Sequence, residues 1–397
     1  MTKTIIIGAG IAGLWIADQL SDSNITVLEK EDHVGGRIIT SAKHGYEIGA
    51  GRIDLRDHRR IMALVKRFGL TTFKHGGRTL WKGLQDAEPE PNHFAAIWAP
   101  LITLFATLDP KILARSTLRE LATAVLGSKK ADALLIRFPY RAELDTLRAD
   151  LAIHSFQAEM SGTKPFGGVV GGLSSITNAL ADSCRSKGVR FVMQTTVTDV
   201  TYDGRAYTVK TQSGRSMKAG RVILALPATV LQKLPVLRSF RPLRYLNMKP
   251  LTRIYAKTVG PWPFKDRIIT DSPLRYIIPI RPAEGIVMIS YTESQDTRVF
   301  LGMQGSALAT TLTVELRRLF PSMVIDIEWA RAYEWSDGCT YWLPGNYDPV
   351  AAGQNALQPF PTTMPHLHLV GESFSTRQAW MEGALEHAAA LLSLIRV

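Results

Sequence analysis

Gly8, Gly10 and Gly13 stand in G-x-G-x-x-G spacing, with the β-branched run TIII at 4–7 before them and a helical run through Leu14, Ile16, Ala17 and Leu20 after. That pattern suits one piece of chemistry, the holding of a dinucleotide pyrophosphate. Gly8 permits a tight turn, Gly10 lets the backbone approach the phosphates, and Gly13 lets the helix pack closely on the strand. The free N–H groups and positive dipole end of the helix then face the anion. A second apolar run at 25–28 ends in Glu29, about 20 residues beyond the first glycine, where an acid accepts ribose hydroxyls. Gly36 and Arg37 follow, one allowing close backbone approach and the other able to neutralise a phosphate. Near the other terminus Gly371 and Glu372 end a strand run, and a helical run opens around Met381, making a second strand-to-helix junction.

The elements that must carry these residues can be read from composition and pattern. A chain of 397 residues exceeds one ordinary core and predicts two or three domains. Its 46% hydrophobic and 21% charged residues are those of a globular protein. Two cysteines, Cys184 and Cys339, exclude a disulfide framework and point to a reducing compartment. With the dinucleotide strand starting at residue 4, no secretory signal is expected and the location reads as cytoplasmic. The net charge of +12 is compatible with an anionic substrate, an anionic surface or nucleic acid, but no block of like charges makes a nucleic-acid arm. The uncharged run 94–108, interrupted by Pro100, is shorter than the ~20 residues of a membrane span. It reads as a buried helix, with a lipid-facing entrance as the alternative. Residues 71–160 as a whole read as helices and connections. The glycine-rich run 167–173 marks a return to the nucleotide domain, followed by strands at 189–193, 207–211 and 222–226. Strand runs at 251–258, 275–280, 286–291 and 325–335, with an amphipathic helix at 306–320, predict a mixed sheet covered by a helix. His366 and His368 lack further ligands, so no metal site is expected.

The acid at 29 followed by Gly-Gly-Arg resembles the amine-oxidase type of flavoprotein. The run Tyr46-Glu47-Ile48-Gly49-Ala50-Gly51-Arg52, then His58-Arg59 and a helix ending near Phe68-Gly69-Leu70, is similar to its L-amino-acid oxidase branch, as is the step from Glu372 to Trp380 in the closing motif. This resemblance implies an α/β fold: a Rossmann-like FAD-binding domain from 1–60, 165–245 and 358–397, and a substrate domain with a helical part at 61–164 and a sheet part at 246–357. It implies FAD, contacted by Ile11, Ala12, Lys30, Gly36, Arg37, Gly49, Ala50, Gly51, Arg52, Val197, Gly371, Glu372, Ala379, Trp380, Met381 and Ala384 beside the residues above. Attachment is expected to be non-covalent, because Asn346 stands where monoamine oxidases carry their flavin-linking cysteine. The resemblance gives Arg52 the substrate carboxylate, which its guanidinium fork suits, and gives Trp380, with Tyr347, the alignment of the amine. Arg253 occupies the place of the family's lysine near the flavin, and arginine cannot be deprotonated. Only Tyr276 lies near the place of the branch's carboxylate-binding tyrosine, at Ile278 or Pro279, and Gly51 and Asp54 replace the usual methionine and proline. The activity implied is oxidation of a C–N bond in an amine or L-amino acid, with O2 as the second substrate and hydrogen peroxide as product; a homodimer is compatible with it. Two other readings stay open. One is a primary-amine or polyamine oxidase, against which stands the lack of an evident acidic cluster. The other is an FAD-binding protein whose oxidase activity has decayed.

Overall fold

The computed structural model describes residues 3–20, 24–159 and 165–395. Its nucleotide layer is an all-parallel sheet in the order Leu367–Leu369, Arg221–Leu224, Thr4–Ile7, Ile25–Leu28, Arg190–Val192. Every residue of Thr4–Ile7 and Ile25–Leu28 is buried, as β-branched runs covered on both faces require. Helix Ile11–Leu20 leaves the central strand and packs on Ser174–Ser186 and on the final helix, Met381–Ile395. The start, middle and end of the chain therefore share one sheet. An antiparallel layer of Val197–Tyr202, Tyr207–Thr211 and Ser216–Ala219 adjoins it. Its first turn is held by Asp203, whose carboxylate accepts the N–H groups of Arg205 and Ala206 at 3.0 and 2.8 Å.

Two polar ties hold the helices of this layer together. Glu382, in the first turn of the final helix, accepts the N–H groups of Arg60 and Ile61 at 2.8 and 3.0 Å, satisfying the start of helix Arg59–Arg67. Asp18, fully buried, accepts hydrogen bonds from Arg67, Ser183 and Lys187.

The second layer is a seven-stranded sheet in the order Ile327–Trp342, Leu246–Thr258, Ile286–Glu293, Tyr276–Arg281, Arg267–Ile269, Thr79–Trp81, Glu90–Pro91. Helix Gly305–Leu319 covers it. Both long strands exceed their sequence patterns. Leu246–Thr258 and Ile327–Trp342 pair from Leu246 opposite Trp342 to Lys249 opposite Cys339 and again from Leu251 opposite Trp335 to Thr258 opposite Ile327, with Ser336-Asp337-Gly338 in the break between. That tripeptide has turn composition, but a bulge between Lys249 and Leu251 absorbs the irregularity, and the neighbouring strand imposes extension. The segment expected to be helical, 61–164, contributes strands before Phe94: Thr72–Lys74 joins a small sheet, and Thr79–Trp81 and Glu90–Pro91 extend the large one. These strands are two or three residues long, too short to show a period of two. Helices follow from Phe94–Phe105, which buries Phe94, Trp98, Ile102 and Phe105 and leaves Ile97 and Leu104 half exposed. Among the described residues, no helix is long and apolar enough to cross a membrane.

Candidate active site

A cavity of about 1720 Å³ is lined by both layers, well above the roughly 300–1000 Å³ of a drug-sized ligand site. It opens past the C-terminal ends of the parallel strands, at Gly8, Glu29, Ala225 and Gly371, where open α/β sheets bind their ligands. The three glycines divide their roles in space. Gly8 has φ +105°, and a Cβ there would lie 2.4 Å from the Ala225 carbonyl oxygen. A Cβ on Gly13 would lie 2.1 Å from the Gly8 oxygen, so only glycine lets the helix come this near the strand. Gly10 differs: a Cβ there meets nothing within 4 Å. The space it leaves open is cavity. The second glycine element seats on the first, with the Gly35 N–H donating to the Ala9 carbonyl at 2.9 Å. Glu29 is fixed by the N–H groups of Ala9 and Glu31 at 2.7 and 3.1 Å. Lys30, Thr195, Thr196 and Val197 surround it on the cavity wall.

Arg37 does not wait for a phosphate. Its Nη2 is 2.5 Å from Glu372 Oε1 and its Nη1 donates to the Gly338 carbonyl at 2.8 Å. Glu372 also accepts from the Thr340 hydroxyl at 2.7 Å and the Ala379 N–H at 2.9 Å. Ala379 thereby holds φ +64°, a left-handed conformation costly for a residue with a Cβ, beside the cavity it lines. One carboxylate thus clips together three segments: the Gly-Gly-Arg turn, the long strand and the closing motif.

Deeper in, the large sheet forms a chamber. Arg253 and Tyr255 alternate on one strand, Tyr291 and Glu293 on its partner, and all four line the cavity. Arg253 Nη1 donates to the Glu47 carbonyl at 3.0 Å, and the Tyr255 hydroxyl donates to the same oxygen at 2.6 Å. A Cβ on Gly51 would lie 2.8 and 2.9 Å from the two terminal nitrogens of Arg253. Both are positions where the sequence departs from the pattern it resembles, and they meet: the missing side chain makes room for the larger cation. Glu293 accepts from the Tyr291 hydroxyl at 2.5 Å and the Ala142 N–H at 3.1 Å, and burial pushes its carboxyl up to about 7 against those hydrogen bonds. Across the chamber the Arg52 guanidinium lies over three rings, 4.2 Å from the centroid of Phe166, 5.0 Å from Tyr140 and 5.4 Å from Trp380. Cys339 also lines the cavity, and burial, reinforced by Glu293, pushes its thiol up to about 12, so it stays protonated.

The family described as flavin containing amine oxidoreductase matches residues 11–390. The chain belongs to that family. It is 22% identical to an L-amino-acid oxidase of Mus musculus over 97% of this chain and 69% of the relative. It is 24% identical to a flavin-dependent L-tryptophan oxidase of Lentzea aerocolonigenes over 99% of this chain and 98% of the relative. Among solved structures, a cofactor-binding redesign of putrescine oxidase superposes with a TM-score of 0.78 at 16% identity, covering 100% of this chain and 99% of that one, a likeness of fold. This amine oxidoreductase therefore uses FAD to oxidise a C–N bond of an amine. The cradle fits that cofactor. Gly10 leaves its side of the cavity clear, Glu29 stands at one end of the cavity wall, and the cavity continues without a break into the chamber.

Of the residues expected to serve the oxidoreductase, Gly8, Gly10, Ile11, Ala12, Glu29, Lys30, Gly36, Arg37, Gly49, Ala50, Gly51, Arg52, Val197, Arg253, Gly371, Glu372, Ala379, Trp380, Met381 and Ala384 all line one cavity. Tyr276 joins them. Tyr347 does not. Its ring stacks on Tyr245 at 3.8 Å, its hydroxyl donates to the Leu343 carbonyl, and Arg148 lies over its face, so its aromatic surface is spent on packing. Asn346 lies off the cavity too, whereas Cys339 lines it. The expectation of no acidic cluster also fails, because Glu143 and Glu293 share the chamber wall. Tyr140, Glu143, Phe166, Tyr255, Tyr291 and Glu293 were not singled out. For Glu293 a signal existed: a carboxyl closing the run Ile286–Glu293, which opens on four apolar residues.

Proposed function

We propose that this amine oxidoreductase oxidises L-amino acids, and that Arg52 binds their carboxylate. The observation that carries the reading is a permanently charged fork in an aromatic pocket on the chamber wall, with Tyr140, Phe166 and Trp380 around it. A guanidinium in such a setting gains more from a carboxylate than it would in water, and the rings fix its orientation. Bound FAD would supply two-electron acceptance from the substrate's α-C–H and delivery to O2, so that amino acid, O2 and water give a 2-oxo acid, ammonia and hydrogen peroxide. The chain's share is placement. Arg52 sets one end of the substrate, Trp380 and Tyr140 wall it from water with Phe166 stacked on Trp380, and Arg253, held on the Glu47 carbonyl, keeps a fixed positive charge in the chamber. Arg253 does not take up a proton from the substrate, because it never gives its own away. In this reading the FAD is held without a covalent bond, because Asn346 stands at the position of the flavin-linking cysteine.

The test is peroxide release with a panel of L-amino acids. Arg52→Ala should lower kcat/KM by about 100-fold or more, as loss of one partner of a desolvated charge pair does. Full activity in that variant would refute the clamp. A primary-amine substrate is the second reading, favoured by Glu143 and Glu293. Spermine or putrescine reducing the flavin faster than any amino acid would establish it.

A further inference from the structure

The chamber carries a fixed positive charge on one wall and carboxyl groups on another, and only the first is used by a simple amino acid. Glu293 is 4% exposed and lines the cavity, yet among the described residues no basic side chain lies within ion-pair distance of it. Its two oxygens accept one hydrogen bond each, from Tyr291 and Ala142, which leaves further acceptor capacity on both. Arg253, on the paired strand, spends Nη1 on the Glu47 carbonyl. A carboxylate buried without a counter-ion is costly, and a cation delivered through the cavity relieves that cost. Glu143, from helix Arg141–Thr146, adds a second carboxyl to the same wall.

Building on the amino-acid reading, we propose that the substrate is a dibasic L-amino acid, its carboxylate on Arg52 and a side-chain amine or guanidine on Glu293. Tyr140 sets the spacing. Its ring lies 5.0 Å from Arg52 Cζ and 5.6 Å from the Tyr291 ring, to which it stands at 87°. Tyr291 in turn donates to Glu293. One aromatic ring therefore touches both the Arg52 guanidinium and the tyrosine that donates to Glu293, which links the two charged ends through a single side chain. A diamine leaves Arg52 facing a like charge, and a neutral amino acid leaves Glu293 without its cation. A dibasic amino acid answers both.

The test compares L-lysine and L-arginine with L-norleucine, which has the lysine chain without its amine, on the FAD-loaded protein. Lysine or arginine should exceed norleucine in kcat/KM by about tenfold or more, and Glu293→Gln should cut that ratio to about one. Equal use of norleucine and lysine, or an equal loss on both in Glu293→Gln, overturns the proposal. A readout without turnover runs beside it. 6-Aminohexanoate, which keeps the carboxylate and the distal amine and lacks the α-amine, should bind about tenfold tighter than hexanoate by thermal shift. No difference between the two refutes the pairing even if Glu293→Gln fails to take up FAD. Flavin bleached by neutral amino acids but no better by basic ones sinks this inference alone. Flavin bleached by no amino acid at all sinks the amino-acid reading, and the inference with it.

Discussion

The cradle and the chamber occupy one continuous cavity and are built on opposite plans. In the cradle, polar groups are answered within the chain: Glu372 takes donors from Arg37, Thr340 and Ala379, and Glu29 takes two backbone N–H groups. Its shape comes from glycines whose missing side chains set how closely backbone meets backbone. In the chamber, Arg253 and Glu293 have no ion pair among the described residues, and the wall is made of side chains from widely separated segments. A cofactor common to a whole family can be held by backbone shape. A substrate that distinguishes one member has to be recognised by charges left for it.

Two glycines break this comparison most sharply. Gly8→Ala puts a Cβ 2.4 Å from a carbonyl at a φ of +105°, and should abolish both folding and flavin uptake. The Cβ of Gly10→Val meets nothing within 4 Å. The apoprotein should melt within a degree or two of wild type, while FAD affinity falls by roughly 100-fold, the scale of losing two hydrogen bonds to a charged group. Apoprotein melting and flavin absorbance per chain separate the two. If Gly10→Val binds FAD normally, the open side of Gly10 does not face the pyrophosphate.

The next effect belongs to the chamber. Gly51→Ala should displace the Arg253 guanidinium from the Glu47 carbonyl and lower kcat/KM by roughly tenfold. Adding Arg253→Lys should restore part of the loss, because the shorter head group vacates the space. The double-mutant cycle should show a coupling of about 0.5–3 kcal/mol. Additive effects would mean that the two departures from the family pattern are independent.

The same contrast explains what could be read before the fold was known. The N-terminal half of the cradle was legible because its parts are local. A strand, three glycines, a helix and an acid lie within residues 4–29, and backbone geometry dictates those residue types. The chamber was legible only in part. Arg52 and Trp380 stood out through their flanking motifs, but Tyr140 and Glu143 sit in a stretch of short helices with no motif at all. Their role depends on Glu293 receiving the Ala142 N–H across a sequence separation of 151. Tyr347 was misplaced for a related reason. An aromatic residue after a Gly-Asn turn reads alike in a cavity wall and in a packing cluster, and only the stacking on Tyr245 separates them. The length of Ile327–Trp342 escaped notice because Ser336-Asp337-Gly338 favours a turn locally, and pairing with Leu246–Thr258 on both sides of that tripeptide carries the strand across it.

The smallest effect is one of sign, and it sets a carboxyl of the nucleotide domain against one of the chamber. Burial raises the Asp18 carboxyl, but hydrogen bonds from Arg67, Ser183 and Lys187 outweigh it and hold the group well below the ordinary carboxylate value. Its contribution to stability is full above pH 3.8 and is lost as pH falls further. Glu293 runs the other way. With a folded value of about 7 against 4.5, the folded chain holds the proton longer than the unfolded one, so stability falls as pH rises between those values. The groups around it are Tyr291 on its own strand, Arg253 on the next, Glu143 on the helix, Cys339 and Tyr341 on the long strand and Asp296 in the following turn. Of these only Arg253 is a cation, and it is already engaged with Glu47. Between pH 5 and 8, wild type should therefore lose stability relative to Glu293→Gln, by a couple of kcal/mol at most, which at this chain length is a shift of roughly 2–4 °C in Tm. The difference between wild type and Asp18→Asn should stay flat over the same range, since Asp18 titrates far below it. If wild type instead gains on Glu293→Gln as pH rises, the ligand-free chamber already supplies a counter-cation, and its carboxyl is as fully answered from within as those of the cradle.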